Sequence, residues 1–190
     1  MRTSALLMIL ALGAGATVHS ADESSTPSVP AVWKQHKLDF VYFGRTSRYS
    51  CLGMRDKVRA LMLDVGVRND LKIQMYGCEI DRIRLRDISP GLILHFSAPQ
   101  PADHADGQGK PFDAHYVTFD FRQDPLRNLN IGDCELVEEF ARQVLPLLST
   151  RNLKKDITCV PYQQSGSVFR VSGEVLVALP GPDEGHRKRN

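Results

Sequence analysis

Two stretches of this chain carry the same pattern of apolar residues, and that repeat limits the fold more than any other feature. In one, Cys51, Met54, Val58, Leu61 and Val65 recur at helical spacing; in the other, Cys134, Val137, Ala141, Val144 and Leu148 recur at the same offsets. Each series draws one apolar stripe down one side of a helix. Gly66 suits the position just past the first helix. Asp133 suits the N-cap of the second, and Pro146 should shorten its last turn. Each helix lies between extended patterns: residues 38–43 and 71–78 around the first, 115–121 and 155–160 around the second. Residues 91–96 and 168–177 add two further strands.

The four cysteines follow the same repeat. Each helix opens on a cysteine, and each following strand ends near one, Cys78 or Cys159. In a βαβ unit the second strand runs parallel to the first, and the helix runs back between them. The helix start and the end of the second strand therefore meet at one end. Of the three possible connectivities this favours Cys51–Cys78 and Cys134–Cys159. Each bridge is worth about 3–4 kcal/mol by loop entropy. Leu71, Ile73 and Met75 share a parity that Cys78 lacks, so the strand must end or bulge near Gly77. Two such units predict an α+β sandwich: a mixed or antiparallel sheet with both helices on one face, ferredoxin-like (split βαβ) with an added strand. That fold class hosts many functions and selects none.

The N-terminus fixes the compartment in which those cysteines are read. Arg2 precedes an apolar run from Ala5 to Ala16, and Val18-His19-Ser20 supplies a peptidase site, so residues 1–20 read as a signal peptide cut after Ser20. The run is too short and glycine-rich to serve as a membrane span. A periplasmic or secreted location follows, where disulfides persist. Residues 21–31 read as a solvated leader, 32–179 as a single α+β domain and 180–190 as a flexible basic tail. The 190 residues have a formal net charge of +2, and removing the signal peptide takes away Arg2 and no acid. A near-neutral chain argues against nucleic acid as a partner.

The signal, the Tyr49-Ser50-Cys51 helix start and the Gly77-Cys78 strand end together resemble those of a family of small exported proteobacterial proteins. The resemblance implies export and brings no catalytic residues with it.

Several constellations bear on chemistry. No C-x-x-C and no G-x-S-x-G occurs, and Ser165-Gly166-Ser167 reads as a turn. If strands 91–96 and 115–121 form a hairpin, His95 and His115 come close. With His104 and Asp103 or Asp106 they could hold zinc or copper, although the spacing matches no known motif. A solvated loop with exposed histidines is the commoner outcome. Arg82, Arg84 and Arg86 fall on one side of an extended segment, as either an anion-recognition row or a charged edge strand. Trp33, Phe40, Tyr42, Phe43 and Tyr49 crowd a short stretch. Phe40 and Tyr42 read as core, and Trp33 as the better interface candidate.

These residues favour an exported, disulfide-stabilised, non-catalytic binding module of the bacterial envelope, with no cofactor, no transmembrane segment and an envelope protein or component as partner. A periplasmic metal-binding protein using His95, His104 and His115 is the alternative. A hydrolase with a site in the long loop 98–113 is the third reading.

Overall fold

A computed structural model describes residues 27–77, 91–104, 109–124 and 129–179. In chain order the elements are β1 (Val29–Val41), α1 (Cys51–Asp64), β2 (Lys72–Tyr76), β3 (Gly91–Pro101), β4 (Phe112–Arg122), α2 (Cys134–Gln143), β5 (Thr150–Thr158) and β6 (Val168–Ala178). The six strands form one sheet in the order β2-β3-β1-β4-β6-β5, with every neighbouring pair antiparallel.

This order is two copies of one unit. In the first half β3 lies between β1 and β2; in the second β6 lies between β4 and β5. β1 and β2 are thus parallel to each other, as are β4 and β5, and each half is a split βαβ. The α+β class holds, but the ferredoxin-like sheet with one added strand does not form. Three strands separate the two helices, and two follow α2. Each half therefore inserts its own last strand, and the halves meet edge to edge. They share three residue pairs, Val29–Ala114, Pro30–Asp113 and Ala31–Phe112.

All eight apolar positions that follow the cysteines in the two helical stripes are buried. They pack in one core with Phe40, Leu92, Leu94, Phe119, Phe121 and Val171 from the sheet. Residues alternate faces along a strand, so Asp39, His95, Asp120 and Arg170 lie on the other side. Ser50 caps α1 by accepting from the Gly53 amide at 3.1 Å, and Gly66 follows the helix at φ +74°. Pro146 acts as expected: α2 stops at Gln143 and a 3₁₀ turn spans Leu145–Leu147. Gly77 has φ +66° directly after β2, which is the strand end that Cys78 requires.

Two boundaries differ from expectation. β1 begins at Val29, and Ala31 is fully buried, so the leader ends earlier than residue 31. β3 continues to Pro101 because the longer β1 offers it Ala31, Val32 and Trp33 as partners. β2 pairs with β3 only as far as His95, so Pro99 and Pro101 lie where that side of β3 carries no β2 ladder. The segment 98–113 is therefore not one loop, since strand residues occupy both its ends.

Candidate functional site

The turn after β1 is held from below by α2. Glu135, in the first turn of that helix, accepts from the Arg45 and Thr46 amides, each at 2.8 Å. The Thr46 hydroxyl lies 3.2 Å from the same carboxylate and 3.1 Å from the Val160 carbonyl. An acid in the first turn of α2 complements the helix dipole. Glu135 has that position, and its oxygens also fix residues 45–46. At the other end of α2, the Gln143 amide donates to the Val41 carbonyl at 2.7 Å and accepts from the Val41 amide at 3.1 Å. Gln143 thus answers β1 as a neighbouring strand would.

The turn after β5 is held from the other side. The Cys134–Cys159 disulfide joins the start of α2 to the end of β5, as the repeat predicted. Cys51 is also disulfide-bonded, and its expected partner Cys78 lies outside the described residues. The Val160 amide donates to Ser167 Oγ at 2.9 Å. Ser165-Gly166-Ser167 is a turn, with Gly166 at φ +84°.

The two fixed turns bound a pocket of about 170 Å³. Phe43, Arg45 and Pro161 line it on the turn side, and Glu135, Glu138 and Glu139 line it on the helix side. Phe43 is 62% exposed, and Tyr162, next to Pro161, is 75% exposed. Tyr162 is held at φ +66°, a conformation in which a bulky residue is an outlier. Glu139 is engaged by the Arg142 guanidinium and by the Gln143 amide at 2.7 Å. Glu138 is exposed and has no bonded partner among the described residues.

A buried polar cluster lies behind this surface. Asp133 is 1% exposed. It accepts from Lys57 Nζ at 2.9 Å, from the Asn130 amide at 2.8 Å and from the Tyr49 hydroxyl. The expected N-cap bond from Asp133 to α2 is absent, because the carboxylate turns back to the 3₁₀ turn Ile131–Asp133. Tyr42 packs edge-on against Tyr49 with ring centres 5.2 Å apart. Burial, and then the neighbouring Glu135, push the Tyr42 hydroxyl well above its ordinary pKa. Burial, and then the hydrogen bond to Asp133, do the same for Tyr49.

Both tyrosines therefore keep their protons in the fold at pH values where the unfolded chain loses them. The stability they contribute is complete below about pH 10 and is lost as pH rises above it. Denaturant titrations at pH 9, 10 and 11 should show unfolding free energy nearly level from pH 9 to 10 and falling by about 1 kcal/mol for each tyrosine from pH 10 to 11, on the way to a limiting ~1.4 kcal/mol per pH unit. Tyr42→Phe and Tyr49→Phe should each remove one share of that slope. A flat profile would contradict the cluster.

Other candidate residues are differently placed. His95 and His115 do not meet: β1 lies between β3 and β4, and strand alternation sends the two side chains to opposite faces. His115 Nδ1 is buried without a partner, and the side chain of His104 is outside the described residues. Among the described residues no group of three His, Cys, Asp or Glu is arranged to hold a metal ion. Arg82, Arg84 and Arg86 lie outside the described residues. Trp33 is within β1, not outside the regular elements. Its ring stacks on Phe112 at 4.8 Å, with the Arg68 guanidinium 5.1 Å from its centre. Phe112 and Arg68 thus lie against a half-buried ring. Of the five crowded aromatics it is Phe43 that faces solvent. The alternation that buries Phe40 and Tyr42 was the signal, since it leaves Phe43 on the other side. Tyr162 was signalled by an aromatic beside Pro161 between two strands.

No helix among the described residues is long and apolar enough to cross a membrane. Comparison with protein-family models, with curated proteins and with solved structures finds no match.

Proposed function

We propose that the protein is an exported, non-catalytic binding module of the bacterial envelope, and that the end carrying Phe43 and Tyr162 is its recognition surface. One observation carries this reading: two highly exposed aromatic residues stand on turns whose neighbouring residues are held by hydrogen bonds and a disulfide. The disulfide, the Glu135 carboxylate and the Val160–Ser167 hydrogen bond hold the turns before any partner arrives. Rigid aromatic anchors lose little entropy on binding and supply most of the energy in protein interfaces. The signal-like first twenty residues and the disulfide support export.

The reading is tested by placing a photo-crosslinking residue at position 162, with position 154 on β5 as control, in the full chain expressed with its own leader in bacteria. The expected outcome is a protein adduct specific to position 162. The purified adduct partner should bind wild-type protein at least tenfold more tightly than Phe43→Ser. Adducts shared by both positions, or none at all, would remove the proposal.

A further inference from the structure

We infer that the pocket between the two turns receives a single lysine or arginine side chain from an extended peptide segment of a partner protein, with Phe43 and Tyr162 gripping apolar residues beside it. This rests on the binding-module reading above and names the partner's chemistry.

Size comes first. A pocket of about 170 Å³ is below the roughly 300–1,000 Å³ of small-molecule sites. It holds one side chain rather than a cofactor. Charge comes next. Three carboxylates and one guanidinium line the pocket, so its local balance favours a cation. Glu135 and Glu139 already have donors on their oxygens, which leaves Glu138 to meet an incoming charge. The rim supplies the apolar component. Phe43, which lines the pocket, is 62% exposed, and Tyr162, next to the lining Pro161, is 75% exposed; no other large hydrophobic residue among those described exceeds 59%. Aromatic faces attract ammonium and guanidinium groups as well as apolar side chains. A free cation or an acidic segment would satisfy only one part of this surface, whereas a basic residue flanked by leucine or phenylalanine satisfies both.

The probe is a set of nine-residue peptides with one central Lys, Arg, Glu or Gln flanked by Leu and Phe. Binding to the oxidised protein lacking residues 1–20 is followed by fluorescence polarisation. Lys and Arg peptides should bind at least tenfold more tightly than the Glu peptide. That preference should fall severalfold between 50 and 500 mM salt. Glu138→Lys should abolish it, and Phe43→Ser with Tyr162→Ser should weaken all peptides at least tenfold. Circular dichroism confirms that each variant is folded. Equal binding of Lys and Glu peptides, or a preference that survives Glu138→Lys, would overturn the inference. A crosslink from position 162 to an acidic segment would overturn the charge assignment while leaving the binding module standing. The absence of any crosslink would remove both.

Discussion

Replacing Asp133 by alanine is expected to lower the unfolding free energy by about 3–5 kcal/mol, the usual cost of breaking a buried ion pair from one side. The reason lies in what remains. The Lys57 side chain is only 15% exposed, and it would lose the carboxylate that lies 2.9 Å from its ammonium. The Tyr49 hydroxyl and the Asn130 amide would lose an acceptor in the same step. Asp133→Asn keeps the shape and some of the acceptor capacity, so it should cost less. Lys57→Met in the same chain should recover part of the loss, because it removes the charge that Asp133 had answered. Urea titrations of the four proteins test this. A loss below about 1 kcal/mol for Asp133→Ala would sink the idea that this cluster holds the halves together, since ordinary surface substitutions fall within ~0.5 kcal/mol.

The second large effect is expected from the disulfide. Cys134→Ala with Cys159→Ala opens a loop whose ends are 25 residues apart. Chain entropy alone makes that worth about 3.5 kcal/mol. For a domain of this size the midpoint of thermal unfolding should fall by roughly 10 °C. The loss should also reach the end of the molecule proposed for recognition. Cys159 lines the pocket and Val160 anchors Thr46, so proteolysis between residues 159 and 167 should accelerate more than proteolysis elsewhere. Uniform acceleration would mean that the bridge stabilises the whole domain without locally fixing the turn.

Much of this molecule can be read from its residues. The helical stripes, the six strands and the Cys134–Cys159 pairing follow from periodicity and spacing, because those properties are local or are fixed by one unit's geometry. The order of strands across the sheet is not local. It depends on whether a following strand inserts into its own half or the other, and nothing in the period of β3 or β6 encodes that choice. One signal was available. Asp39-Phe40 recurs as Asp120-Phe121 at the interval that also separates Cys78 from Cys159. The same interval links two positions with the same duty: Asp39 accepts from Tyr76 and Asp120 from Arg170, both on the face away from the helices. Counting the strands within that repeat would have given two equal halves.

The candidate site was less legible, for a physical reason. Histidines and arginines attract notice by their chemistry, but His95 and His115 are separated by strand order. Trp33 attracts notice by its size, but it is half-buried with Phe112 and Arg68 against its ring. Phe43 and Tyr162 are singled out in the proposal by exposure combined with the anchoring of their turns. Rigidity here comes from Glu135, Ser167 and a disulfide distant in sequence, so it emerges only once the chain is folded.

The three-pair junction between β1 and β4 has a consequence for packing. Under the interval that carries Asp39 to Asp120, Ala31 corresponds to Phe112, and these two residues are paired with each other. The pseudo-twofold axis therefore runs through that pair. In two identical chains, whatever stood there would have to face itself: two phenylalanines would crowd the axis, and two alanines would leave a void. Joining both halves in one chain lifts that constraint. One side can stay small while the other supplies the ring on which Trp33 rests, and the seam is filled by residues that differ.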